Sequence, residues 1–157
     1  MDKQRLYDFV AQNTSKCRIL VVGDVMLDKY YYGEVTRISP EAPVPITHVT
    51  SSKETLGGAA NVAHNLALLG CETFIAGFVG DDYHCQSLLD KFTACGIDYK
   101  GLIHTERPTT TKLRVMGGHQ QMLRLDFEEA APIDGPYAER LQNYIECKLS
   151  ESLDAVI

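Results

Sequence analysis

The chain has 157 residues, 45% of them apolar and 23% charged, the profile of one ordinary globular domain. Fifteen basic against twenty-one acidic residues leave a net charge of −6, which argues against a nucleic-acid backbone or an anionic membrane as partner but leaves small anionic substrates open. No signal-peptide apolar stretch interrupts the charged Met1 to Val10, no apolar run approaches the roughly 20 residues of a membrane span, and the five cysteines lack zinc-ligand spacing, so a cytoplasmic protein with reduced thiols and no metal site is expected.

In chain order, Lys3 to Asn13 reads as a short amphipathic helix with Leu6, Phe9 and Val10 on one face. Arg18-Ile19-Leu20-Val21-Val22 is a continuous apolar run closed by Gly23-Asp24, the pattern of a parallel strand buried on both faces. Ligands of such sheets bind beyond the carboxyl ends of the strands, which places Asp24 and Asp28 near a substrate. Tyr30 to Val35 and Ile46 to Val49 predict two short β segments, and the prolines between them (Pro40, Pro43, Pro45) favour an edge or a protruding flap. Gly57 to Leu69 predicts a helix with an apolar stripe of Ala59, Val62, Ala63, Leu66 and Leu69, and Gly70 stands at its left-handed cap. Thr73 to Val79 is a second apolar strand. Asp81-Asp82 then offers capping oxygens to a helix carrying Leu88, Leu89 and Phe92, which ends near Gly96.

Strand, helix, strand, helix in this order argues for βαβ units. Thr109 to Val115 and Gln120 to Phe127 flank Met116-Gly117-Gly118-His119 as a hairpin. Pro136 opens a last helix bearing Leu141, Tyr144, Ile145 and Leu149, and Asp154 to Ile157 starts a further strand. The expected fold class is therefore α/β: a βαβ parallel-sheet core with a small β flap built from segments near 30–49 and 109–127.

Three groups of residues carry candidate chemistry. Gly57-Gly58 at a helix start lets backbone N–H groups approach an oxygen-rich ligand, and Asn61, one turn on, adds donors and an acceptor suited to vicinal hydroxyls. Asp24 and Asp28 can each accept two hydroxyl hydrogen bonds. Arg37, Lys112, Arg114 and Arg124 lie in the β segments, where they can select a phosphorylated substrate; Lys112 and Arg114 share one strand face. Taken singly, each group also suits a plain structural role: a tight glycine turn, a turn cap, a solvated sheet face. His64 suits a surface or packed position, and Tyr30, Tyr31 and Tyr32 a core or an interface. The chain holds no G-x-x-x-x-G-K-[ST], G-x-G-x-x-G or G-x-S-x-G motif.

Gly57, Gly58, Ala59, Asn61, Ala63, Gly70 and Gly80 fall at the spacing of the first signature of the ribokinase superfamily of carbohydrate kinases. The chain resembles that superfamily from about Cys17 to Ile157, and Gly23-Asp24 is similar to its sugar-binding Asp at the end of the first strand. Val21 to Asp28, Arg37 to Pro45, Thr111 to Val115 and Gln120 to Glu129 resemble its heptose 7-phosphate kinase branch. The resemblance implies ATP-dependent phosphorylation of the anomeric hydroxyl of D-glycero-β-D-manno-heptose 7-phosphate, in ADP-heptose and lipopolysaccharide core synthesis. It also implies ATP and Mg²⁺ as cofactors of the whole enzyme, and a flap that closes over the sugar as a lid and clasps subunits into a homodimer. Asp24, Gly57, Gly58 and Asn61, with Asp28, would bind sugar hydroxyls; Lys112, Arg114 and Arg124 would hold the 7-phosphate or nearby hydroxyls.

The family's catalytic base is the Asp of a G-A-G-D motif, and no G-A-G-D occurs between Met1 and Ile157. The expectation is that residues 1–157 are the N-terminal, sugar-binding part of a longer ribokinase-like kinase domain. Its ATP-binding half would be absent, and with it the catalytic and cofactor-binding residues, so the chain alone would be inactive. Two alternatives stay open: a kinase for another sugar or nucleoside, and a non-catalytic sugar-binding or dimerisation module. The kinase reading also requires Asp24 and Asn61 to face one cavity.

Overall fold

The computed structural model describes residues 2–133 and 135–157, and of residues 6, 9 and 11–13 the backbone. A helix, α1 (Lys3–Asn13), opens the chain as expected, while its Leu6 and Phe9 face lies outside the described side chains. Four strands then form a parallel sheet: β1 (Arg18–Val22), β4 (Glu72–Val79), β5 (Asp98–His104) and β8 (Ala155–Val156), in the order β5-β4-β1-β8. The apolar runs of β1 and β4 form strands because both sheet faces are covered. On one face Val21, Ile75 and Leu102 meet α2 (Gly58–Leu68) and α3 (Tyr83–Cys95) through Ala60, Ala63, Leu88 and Phe92. On the other, Leu20, Phe74 and Ala76 meet Leu141, Tyr144 and Ile145 of α4 (Gly135–Ser150).

The expected stripe on α2 is narrower than its apolar sequence. Ala63 is buried and Leu66 partly so, whereas Val62 and Leu69 are exposed. Leu149 of α4 is exposed as well. Strand β5 falls on a segment to which the sequence pattern assigns no element, opening with the polar Asp98-Tyr99-Lys100-Gly101. Its pairing with β4, and the fit of Gly101 beneath Tyr144 and against the Ile75 carbonyl, impose the extended form, since a Cβ there would lie 2.4 Å from the Tyr144 ring.

The flap is a second, four-stranded sheet. Its strands β2 (Val25–Ile38) and β3 (Pro45–Gly57) are far longer than the two short segments expected. The proline-rich segment does form the turn, but the polar run Ser51-Ser52-Lys53-Glu54, lacking an apolar signature, is strand because it ladders antiparallel to β2. The hairpin of β6 (Thr111–Gly117) and β7 (Gln120–Phe127) turns at Gly118 and joins β2 by a parallel β2–β6 pairing. The two halves of the flap are thus one sheet.

Asp82 is the N-cap of α3 and ties it to the start of the hairpin. Its carboxylate accepts the N–H of Cys85 (2.9 Å) and of Thr109 (2.8 Å), and the Thr109 hydroxyl accepts the N–H of Gly80 (3.0 Å). Partial burial raises the Asp82 pKa, but the Thr109 and Cys85 N–H bonds outweigh it and hold the carboxyl below its ordinary value. A depressed folded-state pKa contributes stability that is present above the ordinary Asp range and is lost as pH falls through the folded value. Asp82→Ala is therefore expected to cost about 1–2 kcal/mol at pH 7. In urea melts the gap between variant and wild type should close below about pH 4; a gap independent of pH would contradict this role.

Candidate functional site

The glycine pair stands where the flap meets the parallel core. Gly57 ends β3 in extended conformation and caps α2, while Gly58 adopts φ +53°. The Ala59 N–H donates to the backbone carbonyl of Asp24 (2.9 Å), so one amide of this helix start serves the fold. A Cβ on Gly58 would lie 2.4 Å from that same carbonyl, and one on Gly57 would lie 2.7 Å from Asp28 Oδ2. The absence of a side chain at Gly57 brings backbone directly against the Asp28 carboxylate, and at Gly58 against the Asp24 carbonyl.

Asp28 sits on β2 in register with Thr55 of β3 and Lys112 of β6, which in turn faces Asp126 of β7. The next row on the same face is Lys53, Tyr30, Arg114 and Arg124. Period-two alternation along the strands sets both rows on one side of the flap. Within them, Arg114 Nη1 donates to Asp28 Oδ1 (2.5 Å) and its guanidinium lies over the Tyr30 ring (5.3 Å). The Asp28 bond raises the Arg114 pKa against partial burial. Lys112 Nζ pairs with Glu128 (2.9 Å) and Asp126 (3.2 Å), and Arg124 donates twice to Asp126 (2.8 Å each). All three cations assigned to the substrate phosphate are thus matched with carboxylates, and Arg37 lies exposed near the end of β2.

Asp28 and Asn61 line one cavity of about 620 Å³, together with Tyr30, Glu54, Thr55, His64 and Lys91. Asp24 does not share it. It lines a separate cavity of about 550 Å³ with Met26, Phe78, Thr105, Arg107 and Glu128, beyond the carboxyl ends of β1 and β4. The expected convergence of Asp24 with Asn61 is therefore corrected. At about 3.3 Å per residue, four strand positions carry Asp28 some 13 Å from Asp24, and Met26 lies between them against both glycines. The carboxylate that shares a cavity with the asparagine is the one four residues further on.

Sequence reasoning set aside Tyr30 and His64 and did not consider Lys91, Glu54 or Thr55. One signal was available. Asn61, His64 and Asn65 recur at i, i+3, i+4 and so share a face of α2, and Lys91, Ala94 and Cys95 repeat that spacing on α3. Among the described residues no group of three or more His, Cys, Asp or Glu is placed to hold a metal ion, and no helix is long and apolar enough to cross a membrane.

A glycine-opened helix thus stands beside a cavity of mixed polar and apolar lining, on a βαβ core with a β flap. The profile of the pfkB family of carbohydrate kinases matches residues 16–154, and the chain belongs to that family. It is 50% identical over 141 residues to the bifunctional protein HldE of Methylobacillus flagellatus, covering 88% of this chain and 29% of that one. It is 48% identical over 130 residues to the D-beta-D-heptose 7-phosphate kinase of Bordetella bronchiseptica, covering 81% and 42% respectively. The chain thus spans well under half the length of these relatives. Among solved structures, the ribokinase of Arabidopsis thaliana complexed with ribose and ATP superposes with a TM-score of 0.58 at 20% identity, over 70% of this chain and 35% of that one, a likeness of fold.

Proposed function

We propose that this chain supplies the sugar-binding part of an ATP-dependent kinase acting on the anomeric hydroxyl of D-glycero-β-D-manno-heptose 7-phosphate, in the ADP-heptose pathway. Membership of the pfkB family and the names of the relatives support the sugar-kinase reading, which rests on them and not on a cavity shared by Asp24 and Asn61; Asp28 takes the place expected of Asp24. The observation that carries the site is that Asp28 and Asn61 line one cavity, with Gly57 packed against the Asp28 carboxylate. Asp28 accepts hydroxyl protons, Asn61 bridges neighbouring hydroxyls, and Arg114 fixes the carboxylate while stacked on Tyr30. Lys112 and Arg124, bound to Asp126 and Glu128, keep the flap face in register around it. Asp24, with Arg107 in the neighbouring cavity, lies at the strand ends, where the transferred phosphoryl group would arrive. ATP and Mg²⁺ belong to the rest of such a domain; this chain lacks the G-A-G-D base, and no transfer step is assigned to it.

The test is calorimetric titration of the chain with heptose 7-phosphate, ribose, fructose 6-phosphate and adenosine. Tightest binding of the heptose phosphate is expected, and preference for another ligand would reassign the substrate. A coupled assay for ADP release should give no turnover, and normal turnover would refute the division of labour.

The opposite face of the flap supports a second part of the reading, a homodimer. There Leu123, Leu125 and Phe127 are 50%, 41% and 50% exposed, continuous with Leu113 and Val115. Such a contiguous apolar face favours self-association. Sedimentation equilibrium should give a dimer, and the double variant Leu123→Asp, Leu125→Asp a monomer; a wild type monomeric at high concentration would exclude this role of the flap.

A further inference from the structure

The cavity holding Asp28 and Asn61 has an uneven charge balance. Its two carboxylates are each matched from outside the lining set: Asp28 by Arg114 (2.5 Å), and Glu54 by Lys29 (2.9 Å) with the Ser87 hydroxyl donating as well (2.7 Å). Lys91 also lines this cavity, projecting from the middle of α3, and among the described residues no carboxylate lies within ion-pair distance of it. Burial raises the Glu54 pKa, but the Ser87 and Lys29 hydrogen bonds and the Lys29 charge outweigh it, with Lys91 adding a smaller lowering through space. With both carboxylates neutralised by their own cations, Lys91 leaves the cavity one positive charge in excess. His64 and Asn65, on the facing stripe of α2, add side chains able to donate hydrogen bonds. By contrast, Lys112 and Arg124 would have to surrender carboxylate partners before gripping an anion.

We propose that Lys91, supported by His64 and Asn65, is the specificity-determining residue for a phosphate monoester on the sugar, while Asp28 and Asn61 take its hydroxyls. This rests on the sugar-binding reading above and deepens it. It makes the substrate a phosphorylated sugar whose phosphate lies toward the gap between α2 and α3, away from the strand ends. An ammonium acts as a point charge and suits a dianion that must enter and leave.

The experiment is calorimetry on the chain with three probes (heptose 7-phosphate, unphosphorylated heptose and inorganic phosphate) against wild type, Lys91→Ala and Lys91→Arg. Lys91 lies on a helix surface, so equal unfolding midpoints are expected for all three proteins. Lys91→Ala should weaken heptose 7-phosphate binding by 10- to 100-fold and abolish inorganic phosphate binding, yet leave unphosphorylated heptose within twofold. Lys91→Arg should recover most of the loss. An alanine variant that binds heptose 7-phosphate within twofold of wild type, or loses both sugars equally, overturns the assignment. Phosphate binding that depends on Lys91 in a protein binding neither sugar would keep the anion site and overturn the sugar reading. A wild type that binds none of the probes overturns both.

Discussion

Asp28→Ala is expected to weaken binding of heptose 7-phosphate by about 100-fold or more, the largest functional effect of any single change in this chain. A carboxylate that accepts two hydroxyl hydrogen bonds contributes about 1.5–3 kcal/mol through each, and their joint loss corresponds to a factor of about 100 to 10⁴. The Asp28 side chain is 19% exposed, so a ligand can reach it while its other oxygen stays bound to Arg114. Removing it also leaves the guanidinium beside Tyr30 without its counter-charge. Asp28→Asn is the gentler variant: it keeps the shape and an acceptor for Arg114 but lowers the charge that strengthens the hydroxyl bonds. Titration of both variants, alongside their thermal midpoints, separates binding from folding. Wild-type affinity in a well-folded Asp28→Ala protein would remove this carboxylate from the site.

Gly58→Ala should be the most destabilising conservative change at the junction between flap and core. An alanine there would have to hold φ near +53° and accommodate a methyl group 2.4 Å from the Asp24 carbonyl, an atom fixed by its bond to the Ala59 N–H. Left-handed backbone in a non-glycine residue costs about 1–3 kcal/mol, and the clash must also shift backbone, so a loss of about 3 kcal/mol is expected. In a domain of this size that lowers the melting temperature by about 6–12 °C. Gly118→Ala is the internal control. It has a similar φ of +60° but open space around it, and should cost only about 1–2 kcal/mol. Equal midpoints for the two variants would show that the contact with Asp24 adds nothing.

The parallel core was legible because its determinants are local. The apolar run of β1, the Asp82 cap of α3 and the left-handed Gly96 that ends it are written in adjacent residues, and each stands where the pattern placed it. The lengths of β2 and β3 were not legible, because Ser51 to Glu54 is strand only through its partners across the ladder. The same distinction explains the site. Glycine spacing located the helix start, but the choice between Asp24 and Asp28 depends on how far β2 travels before it meets Gly57, a distance that no spacing rule supplies. Lys91 escaped notice for a related reason, since it reaches the cavity from a helix that motif reading treated as scaffold.

The parallel junction of β2 and β6 also implies an expected order of events during folding. Asp28 and Arg114 lie 86 positions apart, and the chain between them contains both helices of the core together with β4 and β5. Closing so wide a loop before its interior has condensed would sacrifice chain entropy without nearby contacts to offset it. The βαβ segment is therefore expected to condense first, shortening the effective tether, with the β2–β6 seam completed last. Lesions along that seam should chiefly hasten its opening and leave the initial collapse almost untouched.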